Sequence, residues 1–221
     1  MTLDPDRAED FIRANTAVLS PPHVPEIRLH LADEAHELWL KTEAELEAIG
    51  LPPPFWAFAW AGGQALARYV LDNPSLMAGR QVLDFATGSG LVAIAAASAG
   101  AAHVLAADTD PFTAAAVRLN TALNGVEVKM RVEDLIGQPI DADILLAGDV
   151  FFDRDLAGAL VPWFDRLTAE GKTVIVGDPG RAYLPGGRLQ KLAEYRVSVT
   201  RALEDAEVKQ AVVWRWAPAA T

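Results

Sequence analysis

The run Val82-Leu83-Asp84-Phe85-Ala86-Thr87-Gly88-Ser89-Gly90 joins an apolar, strand-like segment to a glycine turn, and Leu91 to Ser98 continue it as a helix. Glycine at 88 and 90 lets the backbone come close to a ligand, while the helix start offers free N–H groups. A nucleotide-like ligand belongs at such an edge. Asp108, eighteen residues after Gly90, ends the next apolar run, near the spacing at which a carboxylate reaches ribose hydroxyls. Asp134, just past the third run, stands where an acid can accept from an adenine amino group. Gly88-x-Gly90-x-x-Ala93 also fits the dinucleotide fingerprint, so a nicotinamide-dependent dehydrogenase is an open alternative. Asp84 weighs against it, because a carboxylate in the approach to the turn repels a pyrophosphate but accepts well from the amino group of a methionine moiety. The balance favours S-adenosylmethionine as cofactor and methyl transfer as the reaction.

The elements that must hold these residues are legible as a repeat. Apolar runs at Val82–Phe85, Val104–Ala107, Val126–Met130, Ile144–Ala147 and Thr173–Val176 alternate with helical stretches, which predicts parallel strands covered on both faces. Asp110-Pro111 is placed as N-cap and first-turn pair for a helix over Phe112–Leu123, and Asp153 as cap for Leu156–Leu167. Tyr195–Thr200 and Val208–Trp216 are joined by an acidic segment too short for a crossover helix, so they should pair as an antiparallel hairpin. The expected fold is α/β, a mostly parallel seven-stranded sheet with a C-terminal antiparallel hairpin. Ahead of it, Pro5–Thr16 and Asp33–Ile49 have helical spacing and Ile27–Leu31 alternates like a strand. The organisation expected is one domain, with residues 1–60 an extension packed on a core of residues 61–221.

Composition narrows the partners. Thirty acidic against nineteen basic residues give a formal charge of −11, a field that repels a phosphate backbone and suits a lysine-rich protein. Nucleic acid is therefore not an expected partner. The absence of cysteine removes thiolate nucleophiles and cysteine-ligated zinc, and His23, His30, His36 and His103 have no metal-like spacing. Without a signal-like start or a long apolar run, the expectation is a cytoplasmic monomer away from membranes.

Two further segments carry a resemblance. Pro54-Phe55-Trp56-Ala57-Phe58-Ala59-Trp60-Ala61-Gly62-Gly63 precedes the alternating part, and Gly148-Asp149-Val150-Phe151-Phe152-Asp153 follows the fourth strand. With the glycine turn, they make the chain resemble the class I S-adenosylmethionine-dependent methyltransferases, over about Phe55 to Trp216. Within these it is similar to the protein-lysine methyltransferases that modify the β subunit of electron transfer flavoprotein. The resemblance implies a Rossmann-like fold, and a cofactor pocket walled by Trp56, Trp60, Gly62 and Gly63 with Asp84, Ala86, Gly88, Gly90, Asp108 and Asp134. It places Asp149 and Phe152 on the side of the target amine. The methyltransferases of a ribosomal large-subunit protein resemble Val82–Gly125 nearly as well, but their motif after the fourth strand is typically Asn-led, which favours the flavoprotein subunit over a ribosomal protein as partner. Phe151, Phe152, Trp56 and Trp60 are all candidates for an apolar slot around the lysine, with one of the two phenylalanines as readily explained by core packing. Trp163, Trp214 and Trp216 read as packing residues.

Overall fold

The computed structural model describes residues 5–32, 53–198 and 208–217. Five strands, β3 (Gln81–Phe85), β4 (His103–Asp108), β5 (Lys129–Val132), β6 (Ile144–Gly148) and β7 (Thr173–Asp178), pair in parallel. Two more, β8 (Leu189–Ser198) and β9 (Val208–Trp216), form an antiparallel hairpin, with β9 lying antiparallel to β7. The sheet order β5-β4-β3-β6-β7-β9-β8 reverses direction between β4-β3 and β6, so the C-terminal ends of β3 and β6 flank a crevice. The expected seven-stranded, mostly parallel architecture is thus the one observed.

Five α-helices among the described residues follow from equally local causes. Pro5–Asn15 forms α1, Ala61–Asp72 α2, Leu91–Ser98 α3, Pro111–Asn124 α4 and Arg154–Ala169 α5. The Asp110 side chain accepts from the Phe112 N–H ahead of α4, and the Asp153 side chain accepts from Asp155 and Leu156 N–H groups ahead of α5, as their sequence contexts predict. α3 is apolar on nearly every face because it is buried between the sheet and its helical neighbours. Helices α2 and α3 cover one face of the sheet, and α5, with Trp163, Phe164 and Leu167, covers the other. A third cluster joins Ile12 of α1, Trp56 and Phe58 to Phe112 and Leu119 of α4. A short pair, β1 (Ala17–Leu19) and β2 (Leu29–Leu31), completes the described N-terminal part.

Three strand starts differ from expectation by two residues or more. Val126 is still tied to α4, its N–H reaching the Thr121 carbonyl beyond the left-handed Gly125, so the third parallel strand starts at Lys129 rather than Val126. β8 starts at Leu189, six residues early, because it is a half-exposed edge strand with a register shift between Lys191 and Ala193 that breaks the alternation. The strand expected from Ile27 begins only at Leu29. The helix expected over Asp33–Ile49 lies outside the described residues.

The start of α2 is wedged against the strand ends with no side chain between them. A Cβ on Gly177 would lie 2.1 Å from the Gly62 carbonyl oxygen, and one on Gly62 would lie 2.3 Å from the Gly177 carbonyl oxygen. Gly177→Ala must push α2 off the sheet, and overpacking of this kind costs about 1–3 kcal/mol. Thermal denaturation should show a fall in Tm of roughly 2–4 °C per kcal/mol in a chain of this size, while Gly63→Ala, whose Cβ would meet nothing within 4 Å, should melt close to the native protein.

Candidate functional site

At the end of β3 the backbone turns sharply: Ala86 has φ +53°, Gly88 +51° and Gly90 +81°. Ala86 is a non-glycine residue in the left-handed region, a strained conformation that concentrates where a ligand is bound. Asp84, fully buried on β3, directs its Oδ2 at the Thr87 hydroxyl and at the Ala93 N–H 2.9 Å away, in the first turn of α3. The protein's own carboxylate thus sits where a dinucleotide's pyrophosphate would need the helix N-terminus. The nicotinamide alternative loses its anion site.

Asp108, at the end of β4, accepts from Gly88 N at 3.0 Å through Oδ2 and from Asp110 N at 3.1 Å through Oδ1. It therefore braces the glycine turn from the neighbouring strand. Asp84, Asp108 and Asp110 form an acidic cluster in which burial, followed by the charge of Asp108, pushes Asp84 up to about 7 and Asp110 up to about 6. Hydrogen bonds to Thr87 and Ala93 only partly oppose this for Asp84. Such a cluster fits a ligand that brings positive charge. Around it opens a cavity of about 650 Å³ that also reaches Glu133, Asp134 and Ile136 beyond β5. Asp134 is exposed and accepts from Ile136 N with Oδ1 at 2.9 Å, shaping the loop at that end.

The opposite end of the cavity is built around Asp149, just past β6, at φ +58°. Its Oδ2 accepts from the N–H groups of Gly62 and Gly63 at the N-terminus of α2, and its Oδ1 accepts from Arg181 Nε at 2.8 Å. Arg181 Nη2 lies 2.7 Å from the same oxygen. The Arg181 guanidinium stands 5.8 Å from the Trp60 ring. Trp60 in turn packs edge-on to Phe55, and Phe55 lies 5.8 Å from Phe152. Phe55 is 45% and Phe152 52% exposed, so the cavity mouth is an aromatic rim next to an ion pair.

The sequence-derived candidates therefore divide. Trp60, Asp84, Ala86, Gly88, Asp108, Asp134, Asp149 and Phe152 line this same cavity, and Trp56 borders it although its ring is buried and stacked on Phe112. Gly90 acts behind the wall, where a Cβ would press to 3.1 Å from Val117. Gly62 likewise serves the contact with Gly177 and Asp149, leaving Gly63 on the wall. Phe151 does not belong to an apolar slot: it is buried in the core and stacked on Trp216 at 6.0 Å, so of the two phenylalanines only Phe152 reaches the mouth. Arg181 was not anticipated. Its one sequence signal is the turn Asp178-Pro179-Gly180-Arg181, in which Asp178 Oδ1 accepts from Gly180 and Arg181 N–H groups and fixes the arginine's departure. Among the described residues no cluster of histidines and acids could hold a metal, and no helix is long and apolar enough to cross a membrane.

Residues 64–182 match the family model described as ribosomal protein L11 methyltransferase (PrmA). The chain is 39% identical to the electron transfer flavoprotein beta subunit lysine methyltransferase of Xenopus laevis, over 94% of this chain and 86% of that one. It is 36% identical to the Homo sapiens protein of the same name, over 98% of this chain and 84% of that one. Among solved structures, magnesium protoporphyrin IX methyltransferase from Synechocystis with bound S-adenosylmethionine superposes with a TM-score of 0.51 at 14% identity, covering 71% of this chain and 80% of that one, a likeness of fold.

The acidic cluster gives S-adenosylmethionine binding a pH dependence. A cationic ligand favours ionised carboxylates, so binding below pH 7 must release protons taken up by Asp84 and Asp110. Calorimetric affinity should fall as pH drops from about 8 to about 5.5, with Asp84→Asn flattening most of that slope. The free protein should show the reverse sign: carboxyls whose folded values are raised stabilise it below the ordinary carboxylate range and lose that contribution as pH rises through about 6 to 7.

Proposed function

Because the chain belongs to the family of electron transfer flavoprotein β subunit lysine methyltransferases, we propose that it methylates lysine of that β subunit with S-adenosylmethionine as donor. The observation that carries the reading is the pairing, in one cavity, of a carboxylate cluster around the Gly88–Gly90 turn with an aromatic mouth at Phe55, Trp60 and Phe152. The cluster suits the cationic amino-acid end of the donor, and the mouth suits the apolar stem of a lysine. Asp84 is assigned to the methionine amino group, Asp108 to the ribose and Asp134 to the adenine amine. The donor, when bound, supplies an activated methyl group on a sulfonium.

What the chain must supply is alignment and a neutral nucleophile. A free lysine has a pKa of about 10.4, so presenting its neutral form near pH 7.4 costs on the order of 4 kcal/mol unless the site lowers that value. Phe152, Phe55 and Trp60 strip water from the side chain and lower it. Asp149 stabilises positive charge as it develops on the nitrogen, an effect felt more in the transition state than in the bound substrate. The acidic surface of a chain with net charge −11 draws in a basic acceptor segment. A ribosomal-protein acceptor is the second reading, supported by the match of residues 64–182 to the PrmA model.

Incubation with radiolabelled S-adenosylmethionine and purified β subunit should label that subunit; label on a ribosomal protein alone would replace it with the second reading. Asp149→Asn, an exchange tolerated at positive φ, should keep S-adenosylhomocysteine affinity within about twofold and slow methylation at its alkaline plateau at least tenfold, a loss of about 1.4 kcal/mol. An unaltered plateau rate would take Asp149 out of the chemical step. Asp108→Ala should instead weaken S-adenosylhomocysteine binding by tenfold or more in calorimetry, since it removes both the ribose acceptor and the brace on Gly88.

A further inference from the structure

Among the described residues on the cavity wall Arg181 is the one cation, set among six carboxylates. Its position is fixed from below and from the side. Asp178, buried at the end of β7, holds the turn through the Gly180 and Arg181 N–H groups, and Trp60 covers the guanidinium at 5.8 Å. From there Arg181 grips Asp149 Oδ1 with both Nε and Nη2. The other oxygen of Asp149 is occupied by the N-terminus of α2.

A lysine entering between Phe55, Phe152 and Trp60 consequently meets an ion pair instead of an isolated carboxylate. The difference is chemical: a lone carboxylate favours the ammonium form, which has no lone pair to donate, whereas a guanidinium beside it opposes that preference. We propose that Arg181 is a positioning residue that sets the charge at the acceptor mouth, offsetting Asp149 so that the target amine is held there in its neutral, nucleophilic form. The inference rests on the lysine-acceptor reading above. The ammonium proton passes to bulk water before transfer, so no further base is required of the chain. The other charges near the mouth among the described residues are acidic or turned aside: Asp84, Asp108 and Asp110 face the cofactor end, Glu133 and Asp134 lie beyond β5, and Asp153 caps α5. Asp155 is exposed in the first turn of α5, and Arg154 lies over Tyr183 at 5.7 Å. None of these carries the cation that Arg181 supplies.

The test is single-turnover methylation of purified electron transfer flavoprotein β subunit at saturating enzyme, read from about pH 6.5 to 10, where the rate reports the bound complex. Arg181→Gln should move the midpoint of the rising limb upward by about one pH unit, a loss of up to about tenfold on that limb, with the alkaline plateau at or above native because the opposing charge is gone from the transition state as well. Arg181→Lys, which keeps the charge, should hold the native midpoint. Arg181→Met serves in place of the glutamine variant should the latter fail to melt cooperatively, because its stem still packs on Trp60. A uniformly lower rate with the native midpoint overturns the inference, as does a tenfold loss of S-adenosylhomocysteine affinity, which would make Arg181 a cofactor ligand. No turnover by the native enzyme removes the acceptor reading and this inference together; native turnover with coincident midpoints removes this inference alone.

Discussion

The carboxylate of Asp149 joins three segments that are far apart in the chain. One oxygen takes two N–H groups in the first turn of α2, those of Gly62 and Gly63, and the other takes the guanidinium of Arg181, which follows β7. Because Gly62 and Gly177 approach backbone to backbone, the start of α2 can sit close enough for that bond to form. The Trp-rich segment leading into α2 is then drawn over the glycine turn, so that a Cβ on Gly88 would lie 3.6 Å from the Phe55 carbonyl. Cofactor end, acceptor mouth and sheet edge are held in one geometry by a buried charge that is hydrogen-bonded on both oxygens, which is the condition under which such a charge is tolerated.

The two ends of the cavity are electrostatically different, and the difference suits a transfer reaction. Around Gly88 the carboxylates are close enough to one another, and buried enough, that protonation competes with ionisation. A cationic ligand resolves that conflict. At the mouth Arg181, the one cation among the described wall residues, balances Asp149, so an incoming amine is not held as an ammonium ion. Strain accompanies both ends, with Ala86 and Asp149 the two described non-glycine residues at positive φ, each just past the strand that delivers the site.

The same arrangement separates this chain from a dinucleotide enzyme that shares its glycine spacing. In the dinucleotide case the first turn of the helix after the strand must stay open to a pyrophosphate. Here the Ala93 N–H in that turn is bonded to Asp84, and a second carboxylate, Asp108, occupies the Gly88 N–H. The turn is built for a ligand that approaches with its positive end.

Much of this was legible from the order of residues alone. The β-α alternation fixed five parallel strands and a terminal hairpin, Asp110-Pro111 and Asp153 marked their helices, and Asp84, Asp108 and Asp134 fell at successive strand ends, because strand period and strand–turn–helix chemistry act over a few residues and leave a local trace. Tertiary structure alone decided that Phe151 packs on Trp216 while its neighbour Phe152 lines the mouth, that Gly62 serves a strand contact and not the cavity wall, and that Arg181 pairs with Asp149. Each of these depends on which face of one element meets another segment tens of residues away. Neither periodicity nor capping encodes that meeting; packing of the whole sheet does.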